Sequence, residues 1–341
     1  MDNFDLVIVG AGSAGCIVAN NIINTTNYRV LLIEAGPSDN NPAIQVPLGY
    51  GMTFYHKTMN WNFYSKTQTG LNNREIYYPR GKVIGGSGSI NAMIYARGLK
   101  SDYENWNLNS KWSWENIKST FNELEYAVNE EHNQLPINKI PVNDVSSQHH
   151  PILDNFFKAA KEFNFDFNKQ LKSTTENQVG HYNVNTYKGF RNSSAKSFLR
   201  PIKNNPNLTI LTKTEVLKLN FKNNKIFSLN IKHKGKIFEV KPKIGTILSS
   251  GSIMTPYLLL KSGIGNSADL NKFNIPVVLN SPHVGKNFQD HVGLDYLYKT
   301  YFPTLNKDLG TWSGRVKSLL QYIYNRKGPL SLSLNQGGGY I

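Results

Sequence analysis

The sequence predicts an α/β fold built on a parallel sheet, with a stretch of antiparallel β-structure inserted late in the chain. Three observations predict it. Two short, almost wholly apolar runs, "DLVIVG" and "YRVLLIEAG", flank a helical segment, as buried parallel strands joined by a crossover helix do. A G-x-G-x-x-G turn, Gly10, Gly12 and Gly15, links the first run to that helix. Further on, "NLTILTKTEVLKLNFKNNKIFSLNIKHKGKIFEV" alternates β-branched and polar residues around the turn signals "NN" and "KG".

In chain order, "FDLVIVGAG" reads as a buried strand, residues 13–23 as a helix and "YRVLLIEAG" as the next strand. "SWENIKSTFNELEYAV" and "HPILDNFFKAAKEFNF" carry helical periodicity, and the Asn- and Pro-rich stretch 132–150 between them reads as a loop. "KIGTILSSG" is a further short apolar strand running into a glycine turn. No internal repeat is present.

At 341 residues the chain holds one large α/β domain or two smaller ones. Hydrophobic residues at 39% and aromatics at 12% are enough for a sizeable core, which excludes wholesale disorder. The apolar runs at 6–9 and 30–33 are far too short to span a bilayer. Asp2 and Asp5 flank the first of them, so no signal peptide is expected. The single cysteine, Cys16, excludes an internal disulfide and fits a reducing compartment, so a cytoplasmic location without membrane attachment is expected. The net charge of +15 comes from 30 Lys against 8 Arg, dispersed along an Asn-rich chain. Lys and Asn have AT-rich codons, and genome composition explains this excess better than a polyanion site does. A nucleic-acid binder would concentrate Arg on one face.

The glycine turn carries the first chemistry. Gly10 permits the tight turn, Gly12 lets backbone approach a pyrophosphate, and Gly15 lets helix pack on strand. The helix opening at Ser13 would offer free N–H groups and its positive dipole end to phosphates. Glu34 ends the second strand, where an acid takes ribose hydroxyls; the plainer alternative is a solvated strand-end acid. The motif alone separates neither NAD from FAD nor cofactor from structural turn.

The remainder of the chain resembles a known family. "DLVIVGAGSAG…VLLIEAG", "YYPRGKVIGGSGSINAMIYARG", "SDYENWNLNSKWSWENIKSTF", "RNSSAKSFLRPIKNNPNLTI", "GSIMTPYLLLKSGIG" and "VGKNFQDH" stand in the order and spacing of the glucose–methanol–choline (GMC) flavin oxidoreductases, from Phe4 to the last residue. The resemblance implies a Rossmann-like FAD-binding domain and an incomplete α+β substrate domain. FAD-domain segments would run over 1–135 and 201–305, and substrate-domain segments over 136–200 and 306–341. It implies that Gly86 and Ser87 lie near the phosphates, and Asn91 and Ala92 beside the flavin ring. Val216 resembles the residue whose backbone meets the adenine, with ordinary strand core as the alternative. Ile90 occupies the position where some members carry a histidine bonded to flavin, so FAD would be held non-covalently. Thr255-Pro256 would open a helix whose buried face is Leu258–Leu260.

Other residues carry plainer readings. Cys16 is small-residue packing; His149-His150 are solvated loop residues rather than metal ligands; Trp106, Trp112 and Trp114 are core or domain-contact aromatics; His291 in "QDH" is a structural hydrogen-bonder. No metal site is expected. In the family a catalytic histidine comes from the C-terminal third, and none of the histidines 56, 132, 149, 150, 181, 233, 283 and 291 stands in that context. No catalytic residue is therefore assigned. The expected protein is a truncated GMC homologue, inactive by itself. The alternatives are the N-terminal half of a split enzyme completed by a separate C-terminal polypeptide, a non-catalytic binding or structural protein, and, least favoured, a nucleic-acid binder.

Overall fold

The computed structural model describes residues 4–106, 108–128, 134–171 and 176–340, which form two units. The first unit comprises residues 1–39, 55–89 and 194–296. At its centre β1 (Leu6–Val9) pairs in parallel with β2 (Val30–Ile33) on one side and with the strand Gly245–Leu248 on the other. The strand Leu208–Leu211 pairs in parallel on the outer side of β2. Val7, Ile8, Val30, Leu31 and Leu32 are wholly buried, so the two central strands are apolar on both faces. The edge strand Gly245–Leu248 is only partly buried.

Helix α1 (Ser13–Thr25) turns Cys16, Ala19, Asn20 and Ile23 inward, one face at helical spacing. Asn20 keeps its buried amide satisfied by donating from Nδ2 to the Phe198 carbonyl at 2.8 Å.

The expected antiparallel excursion is a three-stranded sheet of Thr214–Lys222, Lys225–His233 and Lys236–Val240. Its two turns use the signals seen in the sequence. Asn223 and Asn224 both take positive φ, as do Lys234 and Gly235, the geometry of twist-matched hairpin turns. Leu219, Leu229, Ile231 and Val240 face inward and join Val7, Val9, Leu31, Ile33 and Leu258 in one core.

The helix after the last parallel strand runs over Gly251–Lys261, so Pro256 lies inside it and does not open it. The chain turns earlier than expected because Gly251 takes φ +81°, a conformation open to glycine. Thr255 instead supports the turn from within, its Oγ1 accepting from the Ser250 N–H at 3.1 Å. Of the expected buried face, Leu258 is fully buried and Leu259 packs partly against the core.

The second unit comprises residues 40–54, 90–193 and 297–341, so that 90–135 group with it across the expected boundary at 135. Its sheet is organised on the strand Gln178–Val184. This pairs in parallel with Asp166–Leu171 and antiparallel with Gly337–Tyr340 and Ile94–Tyr95. The helical pattern at 113–128 stops at Leu124; "EYAV" instead forms the strand Glu125–Val128, paired in parallel with Ile140–Asn143. That second strand lies within the stretch expected to be all loop, of which residues 132 and 133 fall outside the described set. His132 falls outside it too. Trp114 is buried, whereas Trp106 and Trp112 are half exposed, so only one of the three is core. Among the described residues, no helix is long and apolar enough to cross a membrane.

Candidate cofactor-binding site

The three glycines of the first turn are kept for different reasons. Gly10 takes φ +100°, and a Cβ there would stand 2.6 Å from the Ser249 carbonyl oxygen. A Cβ on Gly15 would lie 1.9 Å from the Gly10 carbonyl oxygen, so Gly15 is where α1 meets β1. Gly12 differs: a Cβ there would find nothing nearer than 3.9 Å. Protein packing does not demand a glycine at 12; the space beside it belongs to a cavity.

That cavity, about 650 Å³, is lined by Gly10, Gly12 and Ser13 of the turn, by Glu34, by Gly86 and Ser87, and by Val216. Residues 249–256, at the start of the helix Gly251–Lys261, complete one wall. Its volume lies in the range of cavities that enclose a small-molecule ligand. Helix α1 points its N-terminus here from Gly12, with no side chain capping the first-turn N–H groups and no acid in that turn. Those donors and the positive end of the helix dipole are left for an anion.

Glu34 is only 6% exposed, which corrects the solvated alternative. Its Oε2 accepts from the Ala11 N–H at 3.0 Å and its Oε1 from the Gly36 N–H at 2.9 Å. The carboxylate thereby ties the glycine turn to the end of β2. Each oxygen retains a lone pair for a ribose hydroxyl. Burial pushes the carboxyl up to about 7, against the opposing pull of the Gly36 and Ala11 N–H groups and of Lys82.

The second glycine segment abuts the first. Gly86 takes φ +57°, and a Cβ on it would stand 2.7 Å from the Gly12 Cα. The Gly85 N–H donates to the Ala11 carbonyl at 2.7 Å, fixing the two turns together. Ser87 is exposed toward the cavity, its Oγ accepting from the Gly81 N–H at 3.0 Å. Val216 lines the cavity and packs against the core.

Asn91 and Ala92 belong to the second unit. Asn91 is exposed, and its carbonyls accept from the buried Arg191. His149 and His181 of the same unit face each other, Nδ1 to Nδ1 at 2.8 Å, so His149 is not a solvated loop histidine. Burial pushes His149 down to about 4. Among the described residues no three His, Cys, Asp or Glu gather as a metal site would require.

Several cavity residues escaped the sequence reading. Trp61 and Phe63 stack with centroids 5.6 Å apart and planes 8° apart, and Lys82 Nζ stands 4.4 Å from the Trp61 ring. Arg80 lines the cavity and pairs with Asp290 at 2.7 Å, so in "QDH" the aspartate makes the structural contact. Ser249 and Ser250 donate from Oγ to the Val9 carbonyl, each at 3.0 Å. The signal for these serines was present in "ILSSG". Lone aromatics at spacing two carried none.

An uncapped helix following a glycine turn, with a buried acid at the end of the next strand, defines a dinucleotide-binding protein. The GMC oxidoreductase family model matches residues 4–293. The alcohol dehydrogenase [acceptor] of Pseudomonas putida is 35% identical, over 99% of this chain and 62% of that protein. The mitochondrial choline dehydrogenase of Mus musculus is 33% identical, over 85% of this chain and 50% of that one. A formate oxidase of Aspergillus oryzae RIB40, solved for the effect of a mutation on its FAD modification, shares the fold with a TM-score of 0.85 at 24% identity, over 98% of this chain and 60% of that one.

The chain belongs to the GMC oxidoreductase family. It spans about half to three-fifths of the length of these relatives. Its cofactor is FAD, and the residues present fit it: the space at Gly12 and the uncapped α1 terminus suit a pyrophosphate, and Glu34 suits a ribose.

Proposed function

We propose that this chain is the FAD-binding part of an oxidoreductase that acts on the CH–OH group of an alcohol. The observation that carries the reading is Gly12: a glycine that protein packing does not require, at the uncapped start of a helix, facing a cavity of about 650 Å³. FAD would be held non-covalently by Gly10, Gly12, Ser13, Gly15, Glu34, Gly86, Ser87 and Val216, with Asn91 and Ala92 as neighbours of the ring. Residues 1–135 and 201–305 would serve the cofactor, and 136–200 and 306–341 the substrate. When bound, FAD supplies a two-electron acceptor for the hydride of the alcohol carbon. The glycine turn and the α1 N–H groups would bind the pyrophosphate, and Glu34 would accept from the ribose hydroxyls. Ile90, an aliphatic side chain, forms no bond to flavin. The relatives named for alcohol and for choline support a hydroxyl substrate.

The hydroxyl proton needs a base, and among the described residues no histidine lines the cavity. We assign that base to residues beyond these 341, continuous with the chain or supplied by a separate polypeptide. Without it the 341 residues bind FAD but oxidise alcohols slowly, since general-base help is worth about 10²–10⁴-fold. The exposed apolar residues Leu297, Tyr298, Tyr301 and Phe302 favour such a complementing segment. A single cysteine, which can form no internal disulfide, fits a cytoplasmic protein.

The test is the visible spectrum of the chain purified with FAD present and then denatured. The reading expects flavin near one per chain, all released on denaturation. A folded chain that stays colourless at saturating FAD would overturn it.

A further inference from the structure

The helix Trp312–Asn325, within the second unit, is turned inside out. An amphipathic helix of a soluble domain puts its apolar stripe against the core. Here the buried residues are Ser318 and Tyr322. The Tyr322 hydroxyl donates to the Gly189 carbonyl at 2.9 Å, and its ring meets Phe190 edge-on with centroids 6.2 Å apart. The larger apolar side chains lie elsewhere. Trp312, Leu319, Leu320, Ile323 and Tyr324 are all exposed, Trp312 by 79% and Tyr324 by 91%. Successive residues turn by about 100° around a helix axis, which gathers these side chains into one arc of about 140°, with Val316 inside it.

Cations border the arc. Arg315 stands at one edge and Lys317 at the other, and the helix contains no acid. Arg315 is held in place, its Nε donating to the Leu309 carbonyl at 2.6 Å. Residues 297–341 carry six Lys or Arg against one acid, Asp308, whereas the whole chain carries 38 against 23. A codon bias toward lysine does not remove acids, so this local balance needs another cause.

We infer that the apolar arc of this helix is a docking face for an anionic lipid bilayer, with the helix lying in the plane of the interface. Its aliphatic side chains would enter the acyl boundary while Arg315 and Lys317 meet the headgroups. Trp312 and Tyr324, at opposite ends, are the residue types that favour that boundary. The cytoplasmic face of a membrane carries the negative charge this arrangement asks for. The attachment is to a surface: the helix has 14 residues, and among the described residues none is long and apolar enough to cross. It revises the expectation of no membrane attachment, since the lack of a span argues only against crossing. A completing polypeptide would have to bring acids to both edges of the arc, whereas an anionic surface offers charge all along it. The inference does not depend on the cofactor reading.

The experiment sediments the full chain with vesicles of phosphatidylcholine alone and with vesicles that also contain phosphatidylglycerol, while Trp emission is followed. Wild type should bind the mixed vesicles, bind the neutral ones at least about tenfold more weakly, and come off as salt is raised. Its emission should shift to the blue on binding, and Trp312→Phe should bind while losing most of that shift. Leu320→Glu/Ile323→Glu should melt like wild type, because both positions are exposed, yet bind the mixed vesicles at least about a hundredfold more weakly. Lys317→Glu should weaken binding about tenfold or more. Binding that the double variant leaves unchanged would place the contact elsewhere and overturn the inference. So would a wild-type chain that stays in the supernatant with both vesicles. If wild type ignores both vesicles but forms a dimer that the double variant splits, the arc meets a second copy and the inference fails.

Discussion

The Cβ position of Gly86 stands 2.7 Å from the Cα of Gly12, while the Cβ position of Gly12 itself is open to 3.9 Å. Two glycine turns distant in sequence therefore touch, yet one of them keeps a vacant flank. Gly15, three residues along, has no such room, with the Gly10 carbonyl at 1.9 Å. This contrast predicts that the two glycines fail differently. Gly15→Ala should destabilise the apo chain by at least about 3 kcal/mol, beyond the usual cost of overpacking because the obstacle is backbone. Gly12→Ala should cost only about 1 kcal/mol, the difference between Gly and Ala at an N-cap. It should nevertheless weaken FAD at least about tenfold, because the new methyl fills the space for the pyrophosphate. Chemical unfolding of the apo forms, together with FAD titration, checks both. Equal loss of stability in the two variants would refute the distinction.

Glu34 predicts a pH dependence of stability. Its folded carboxyl is raised by burial to about 7, from an ordinary 4.5. Between those values the folded chain holds more protons than the unfolded one. This contribution is fully present below pH 4.5 and is lost as pH rises through about 7. Glu34→Gln removes the titration, and with it one of the two acceptors for Ala11 and Gly36. The variant should be less stable in absolute terms and should lack the decline of the wild-type apo chain between pH 5 and 7. Parallel curves for the two proteins would mean that Glu34 titrates normally.

The parts of this site that could be read from the sequence are those whose requirement is local. Gly10 and Gly15 must be glycine for reasons contained in one strand–turn–helix, and the hairpin pairs at 223–224 and 234–235 sit at turns the sequence itself signals. Residues whose role is set by distant partners were not legible. Nothing near Arg191 marks it as the holder of Asn91, one hundred positions away. Trp61 and Phe63 look like ordinary strand aromatics until Lys82 is seen over the indole ring. The helix at 251–261 opens ahead of the position that Pro256 signals, because the deciding residue is Gly251 with its positive φ. The strand Glu125–Val128 is hidden for a related reason: its period-two signal is shorter than the helical one leading into it, and only pairing with Ile140–Asn143 makes it a strand.

The histidine pair predicts a dependence of opposite sign. His149 and His181 share one hydrogen bond between their Nδ1 atoms, so one ring donates and the other accepts. Burial lowers both, His149 to about 4, while Asp144 pulls both back upward, Asp154 raises His181 and Lys169 lowers it. A depressed folded value means stability that is present above the ordinary 6.5 and lost as pH falls through about 4. Protonating the accepting ring also removes the shared bond. Amide exchange along Gln178–Val184, where His181 sits, should accelerate as pH is lowered through this range, after correction for intrinsic rates. His149→Gln should flatten that response, and an unchanged response in the variant would assign it elsewhere.

Cys16 supplies a probe of the glycine turn itself. It is wholly buried in α1, its Sγ donates to the Ala11 carbonyl at 3.3 Å, and burial pushes the thiol up to about 12. The thiolate is the reactive species, so at pH 8 the native chain should alkylate about 10³-fold more slowly than the same chain in strong denaturant. Residual labelling must then pass through an opening that lifts α1 away from the turn at 10–15. FAD bound across that turn holds it closed, and the labelling rate should fall as FAD is raised, by the factor one plus the ratio of free FAD to its dissociation constant. The dissociation constant obtained this way should match the one from fluorescence quenching. A native labelling rate close to that of the denatured chain would show the thiol to be accessible. A slow rate indifferent to FAD would place the cofactor away from the glycine turn, whatever the spectrum reports.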